Sequence, residues 1–222
     1  MVTWAEILFR FYMGLNPPNL PKGISWLYPQ RQEDVQNILK EFLQKYYSDE
    51  EERTLLLGIN PGRLGAGITG VNFTAPKQLK EYCHIESNLK GSELSAEFIY
   101  TMIREYGGVE KFYGEFFIGS VCPLGLVEDG KNLNYYDRKD LLESIEPFIV
   151  QNLSQLISYR VNKDVCICIG GEKNFKYLSA LNEKHGWFSR IVTVPHPRFI
   201  MQYKRKLLNQ YVNLYLDVLQ RK

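Results

Sequence analysis

Leu55-Leu56-Leu57-Gly58-Ile59-Asn60-Pro61-Gly62-Arg63-Leu64-Gly65-Ala66-Gly67-Ile68-Thr69-Gly70-Val71-Asn72-Phe73 decides how the rest of the chain is read. It opens as an uninterrupted apolar run, the pattern of a strand buried on both faces. It then breaks into a loop with Gly62, Gly65, Gly67, Gly70, one proline and almost no charge. Glycine lets other groups approach the backbone closely. At the end of a buried strand, such a loop is expected to form a pocket floor in an α/β protein. Asn60 stands where strand gives way to loop, and Phe73 closes the stretch.

Three further apolar runs read as strands: 116–121, 165–169 and 191–194. Helical patterns separate them. One is expected from Thr3 to Met13. A second runs from Asp34 to Tyr47, with Val35, Ile38, Leu39, Phe42, Leu43 and Tyr46 as its stripe. Short helices are expected over 76–83 and 95–106, with Gly107-Gly108 stopping the latter. Asp137 caps a helical pattern to Tyr159, where Pro147 marks a kink or a break. Another follows over 174–181. The last helix carries Leu207, Leu208, Tyr211, Leu214, Tyr215, Val218 and Leu219 on one face. Ile24 to Pro29 reads as an aromatic connection, and Glu128 to Tyr136 as a polar loop. Alternation of strands and helices predicts an α/β fold, a three-layer α/β/α arrangement around a four-stranded parallel sheet. A single domain over 1–222 is expected, with the helices of 1–50 packed on it.

The chain of 222 residues is 45% hydrophobic and 14% aromatic, enough to bury a sizeable core. Its formal charge of +2 permits a nucleic-acid partner without arguing for one. Glu6 and Arg10 interrupt the N-terminal apolar stretch, so no signal peptide is read, and no apolar run reaches membrane-spanning length. Cys83, Cys122, Cys166 and Cys168 fit neither a metal spacing nor a disulfide framework. A cytoplasmic protein with reduced, buried thiols and no bound metal is expected.

In an open parallel sheet, ligands bind beyond the carboxyl ends of the strands. Three of those ends are chemically unusual: Asn60-Pro61-Gly62, Ser120-Val121-Cys122-Pro123 and His196-Pro197-Arg198. The fourth, Gly170-Gly171, offers backbone amides at a helix start. Asn60 reads either as a group that orients a water or recognises an amide-bearing ligand, or as a cap in an Asx-turn before Pro61. His196, held stiff between two prolines, reads equally as structural or functional. Phe73 reads as core, or as a face offered to a planar ligand. Gly65 to Gly70 formally matches the dinucleotide pattern G-x-G-x-x-G, but the strand ends earlier, at Asn60, and Asn72 to Pro76 cannot open a helix immediately. Tyr203-Lys204-Arg205-Lys206 puts three cations at the start of the last helix, where its dipole disfavours them. Phosphate contact accounts for that placement, with Arg190, Arg198 and Lys176 on the same face; a solvated charged end is the alternative.

Gly58-Ile59-Asn60-Pro61-Gly62 with Gly65, then Thr69-Gly70-Val71 and Phe73, resembles the first motif of the uracil-DNA glycosylase superfamily. The branch it resembles most is that of the single-strand-selective monofunctional uracil-DNA glycosylases. Cys122-Pro123-Leu124 is similar to that branch's middle motif, and His196-Pro197 to the start of its last. The resemblance covers roughly Thr54 to Met201. It implies a DNA glycosylase in which Asn60 positions the attacking water and His196 stabilises charge on the departing base. Phe73 would stack on the flipped-out base. Substrate contacts would come from Gly58, Ile59, Pro61, Gly62, Arg63, Gly70, Ser120 and Cys122. Arg198, Phe199 and Ile200 would wedge into the vacated space, with Lys204 and Arg205 also on DNA. DNA, single- or double-stranded, is the implied partner of a monomer without a cofactor.

Two departures from the family pattern carry consequences. Ser120 falls where the relatives read the uracil edge with an asparagine amide. A hydroxyl cannot give the same paired donor and acceptor. Looser base selection follows, extending to xanthine or hypoxanthine. His196-Pro197-Arg198-Phe199 also lacks the Ser-Pro that usually follows. No lysine in the matched motifs offers an amine nucleophile, so hydrolysis without strand cleavage is expected. The rival readings are a non-catalytic nucleic-acid-binding module on the same fold and a nucleotide-binding enzyme using the glycine loop.

Overall fold

Leu55, Leu56 and Leu57 are each 0% exposed, so the apolar run is a strand covered on both faces. The computed structural model describes residues 2–221, and residues 1 and 222 of the expected domain lie outside it. In chain order the elements are α1 (Trp4–Met13), β1 (Ile24–Leu27), α2 (Glu33–Tyr46), β2 (Arg53–Gly58), α3 (Ala66–Thr69), α4 (Pro76–Glu81), α5 (Leu94–Tyr106), α6 (Val109–Glu115), β3 (Phe116–Ser120), β4 (Gly125–Glu128), β5 (Lys131–Leu133), α7 (Lys139–Ile157), β6 (Val161–Ile169), α8 (Glu172–His185), β7 (Arg190–Val194), α9 (Pro197–Tyr203) and α10 (Leu208–Gln220).

The four expected strands form one sheet in the order β3-β2-β6-β7, and every pairing is parallel. Helices flank it in the expected α/β/α manner. α1 and α2 pack together, as do α5, α9 and α10. Thr3 caps α1 through a reciprocal capping box with Glu6. Arg53, 0% exposed, anchors the start of β2. Its guanidinium donates to the carbonyls of Tyr113 and Glu51 and to the Asp49 carboxylate, so the buried charge is fully partnered.

Several expectations are corrected. Ile24 to Pro29 is not a mere connection: Ile24–Leu27 is a strand of a second, antiparallel sheet of order β1-β4-β5. The stretch expected as a polar loop contains the β4–β5 hairpin. Asp129 and Gly130 both take positive φ at its turn, as a two-residue hairpin requires. Pro147 lies within α7 without ending it. α3, α6 and α9 are additional to the expected helices, and α3 is a single turn within the stretch expected as a glycine loop. The last helix begins at Leu208, so Tyr203 and Lys204 close α9, and Arg205 and Lys206 stand in a 3-10 turn. The cation at Lys204 therefore meets the carboxyl end of a helix, which favours it. Leu207 and Leu214 are exposed, and the buried face of α10 is Val212, Tyr215 and Leu219.

The small sheet presses on the glycine loop. A Cβ on Gly125 would lie 2.6 Å from the Pro61 carbonyl oxygen and 2.9 Å from Leu27 Cβ. Gly125→Ala should therefore lower unfolding free energy by about 1–3 kcal/mol in urea titration. Gly114 in α6 has open space where its Cβ would be. Gly114→Ala should leave stability unchanged or raise it by up to about 1 kcal/mol.

Candidate active site

The end of β2 is built so that the chain can turn back on itself. Gly58 has no side chain because the Phe73 ring occupies that space; a Cβ there would be 2.8 Å from Phe73 Cε2. The loop is pinned as it returns. The buried Thr69 hydroxyl donates to the Thr74 carbonyl (2.6 Å) and accepts from the Val71 amide (3.2 Å). Gly70 takes a left-handed φ of +74° that ends α3, and Gln30 Nε2 donates to its carbonyl. Phe73 itself holds a φ of +51°, a strained conformation for an aromatic residue. Its ring is 5.9 Å, centroid to centroid, from that of His196.

Three strand ends meet at one cavity of about 600 Å³, whose walls include Asn60, Phe73, Ser120 and His196. Asn60 is not in a local Asx-turn. Its Nδ2 donates to the Leu133 carbonyl (3.1 Å) and its Oδ1 accepts from the Tyr135 amide (3.2 Å). The side chain thus ties the end of β2 to the connection after β5. Asn132 Oδ1 accepts from the Arg63 amide and adds a second tie to the hairpin. Ile59, Pro61, Gly62 and Arg63 also line the cavity.

His196 caps α9: its Nδ1 accepts from the Arg198 amide (3.1 Å). An accepting Nδ1 leaves the ring proton on Nε2. Burial, with the nearby Arg198 charge second, lowers the imidazole pKa to about 4. At neutral pH the ring is an uncharged N–H donor.

Other expected contacts fall elsewhere. Gly58 is buried beneath Phe73, and Gly70 packs against Val35 and Gln30, so neither lines the cavity. Cys122 is also outside it. Burial pushes its thiol up to about 12, and its Sγ donates to the Leu124 carbonyl. Ile200 is 0% exposed on the core side of α9 and cannot reach into DNA without unfolding that helix. Arg198 and Phe199 are exposed at the cavity wall, whereas Lys204 and Arg205 are exposed beyond it. Arg190 opens β7 while Arg198 follows its far end, so those two cations do not share the rim. Gly170-Gly171 does not line the cavity either.

Lining residues without a signal of their own in the sequence include Asn72, Glu93 and Lys131, and Tyr203 lines the cavity rather than opening the last helix. Tyr203 is 66% exposed and pairs with Phe199, 45% exposed, at a ring separation of 5.7 Å. Their four-residue spacing on a helix was the available signal. Glu93 lies against the loop; Cβ atoms on Gly65 and Gly62 would come within 2.0 and 3.0 Å of its carboxylate oxygens. Burial raises its pKa to about 7, opposed by the Arg198 charge. Among the described residues no group of three or more His, Cys, Asp or Glu side chains could hold a metal ion. No described helix is long and apolar enough to cross a membrane.

The Uracil DNA glycosylase superfamily matches this chain over residues 44–220. The crystal structure of wild-type SMUG2 from Pedobacter heparinus is similar at 39% sequence identity and a TM-score of 0.95, covering 100% of this chain and 98% of that one. No curated protein sequence matches. The chain belongs to the uracil-DNA glycosylase superfamily, in its single-strand-selective monofunctional branch. It is a monofunctional DNA glycosylase, a hydrolase of N-glycosyl bonds whose partner is DNA.

The raised Glu93 pKa has a consequence for stability. Between its ordinary 4.5 and about 7, the folded chain retains a proton that the unfolded chain has released. Stability attributable to this group is therefore lost as pH rises through that window. Thermal melts should show Glu93→Gln close to the parent at pH 4 and about 2 °C or more above it at pH 8.

Proposed function

We propose that the cavity takes a deaminated base flipped out of DNA, uracil first, and that water cuts it from its sugar. The observation that carries this reading is the meeting of Asn60, Phe73, Ser120 and His196, from three strand ends, around one space. Phe73 offers a ring face to the base. Its strained backbone is consistent with a position kept for binding rather than for stability. Asn60 keeps one N–H and one lone pair beyond its two backbone bonds, enough to hold a water at a fixed place.

As the glycosidic bond breaks, its electron pair leaves with the base. The water oxygen bonds to the anomeric carbon and releases one proton to solvent, and the departed base anion takes up a proton from solvent. His196 Nε2–H donates to the anionic base. A neutral donor suits this task, because a cationic imidazolium would have to be formed against burial and Arg198. Ile59, Pro61, Gly62 and Arg63 form the rest of the base and sugar contacts. Arg198 and the exposed Phe199–Tyr203 pair enter the space vacated in the DNA, while Lys204 and Arg205 contact phosphates beyond it. The protein acts as one domain, a monomer, in the cytoplasm. Xanthine and hypoxanthine are further substrates, because Ser120 leaves the strand-end amide of the relatives unreplaced at its own position.

Asn60→Ala and His196→Ala should each reduce single-turnover uracil release by about 10²-fold or more. Near-parental rates in both would remove these roles. Activity should also persist from pH 8 to below pH 6 without a limb from His196, whose protonation is half complete only at about 4. Phe199→Ala with Tyr203→Ala should weaken binding to an abasic oligonucleotide by about tenfold or more, measured by fluorescence anisotropy at fixed salt. Unchanged affinity would place the wedge elsewhere.

A further inference from the structure

Two asparagine amides of the cavity wall are held in opposite ways. Asn60 is clamped by backbone groups: a carbonyl that can only accept and an N–H that can only donate. Its amide has one possible orientation. Asn72 is 8% exposed and is held by hydroxyls instead. Ser120 Oγ donates to its Oδ1 (3.1 Å), and its Nδ2 donates to the Tyr12 hydroxyl (3.2 Å). Neither hydroxyl makes another side-chain hydrogen bond among the described residues. Burial holds the Tyr12 phenol well above its usual pKa, so it stays protonated.

A hydroxyl can donate or accept. If the Asn72 amide turns over, Tyr12 donates to Oδ1, and Nδ2 donates to Ser120. Both hydrogen bonds are kept. In either orientation one N–H and one lone pair of the amide remain unused, on a residue that lines the cavity beside Phe73. That is the paired donor and acceptor which Ser120 cannot supply by itself.

We infer that Asn72 reads the edge of the base in this cavity, and that its suspension between Ser120 and Tyr12 lets one amide read more than one edge. The inference rests on the glycosylase reading above. The substrate class is a base with a lactam edge, a ring N–H beside a carbonyl, as uracil, hypoxanthine and xanthine all have. A purine and a pyrimidine present that edge at different distances from the sugar, and a reversible amide meets the pair in either order. Ser120 and Tyr12 are positioning residues, acting through Asn72.

The test is single-turnover release of uracil, hypoxanthine and xanthine from single-stranded oligonucleotides by the full chain. Affinity for an abasic oligonucleotide and the melting temperature are measured alongside. The parent should release all three bases, with rates within about tenfold of one another. Asn72→Leu, similar in size and without polar atoms, should lose about 10- to 100-fold and change the ratios between bases, while keeping abasic-DNA affinity. Ser120→Ala, which leaves the amide one partner, should shift the same ratios by less. A parent that releases uracil alone overturns the reversible amide. Parental rates in Asn72→Leu overturn its role as reader. An equal loss on every base with weakened abasic-DNA binding marks a structural role and overturns it too. A parent that releases no base would instead count against the glycosylase reading.

Discussion

The Asn60 amide, clamped between the Leu133 carbonyl and the Tyr135 amide, holds the site together. It fastens the end of the central strand to a hairpin on a different sheet. Without that tie, a glycine-rich loop would sample many conformations, and a water or a base would find no fixed partner. The small antiparallel sheet exists in this arrangement as a brace. Gly125 is pressed against Pro61, and Asn132 holds the Arg63 amide. A pocket floor that reads as flexible in sequence is thereby made rigid by long-range contacts.

Electrostatics within the cavity are arranged by burial more than by pairing. His196 is kept neutral and Glu93 is kept partly protonated at pH 7, both chiefly by desolvation and both modulated by Arg198. Fewer full charges line the wall than the sequence shows. In the proposed reaction, where a base leaves as an anion, the site gains from donors that need not be reorganised.

The four parallel strands were legible because a strand buried on both faces writes itself as a short, continuous apolar run. The long helices were legible from periodicity, as with the stripe from Val35 to Tyr46 in α2. The small sheet was not. β1 and β5 are short and half-exposed, and they carry polar residues such as Ser25, Lys131 and Asn132. The Asp129-Gly130 turn signal lacked apolar flanks on its far side. At the site, the meeting of Asn60, Ser120 and His196 was legible because strand ends predict a shared rim, and the place of Phe73 because it closes the glycine loop. Gly58, Gly70 and Cys122 are set by packing beneath the loop, which a motif does not distinguish from contact with a ligand. Ile200 was misplaced because α9 was not foreseen, and only the helix decides which side chains face outward. Asn72 and Glu93 are placed by groups distant in sequence, Asn72 by the Tyr12 and Ser120 hydroxyls and Glu93 by burial beside Arg198, and no local pattern marks them.

The most direct test is base release from an end-labelled oligonucleotide containing one uracil, followed by incubation with and without alkali. The account predicts strand scission at the uracil position only after alkali, the sign of an abasic site left by hydrolysis. Scission without alkali would contradict hydrolysis by water. No scission under either condition, in a folded sample that still binds the DNA, would contradict the assignment of chemistry to this cavity.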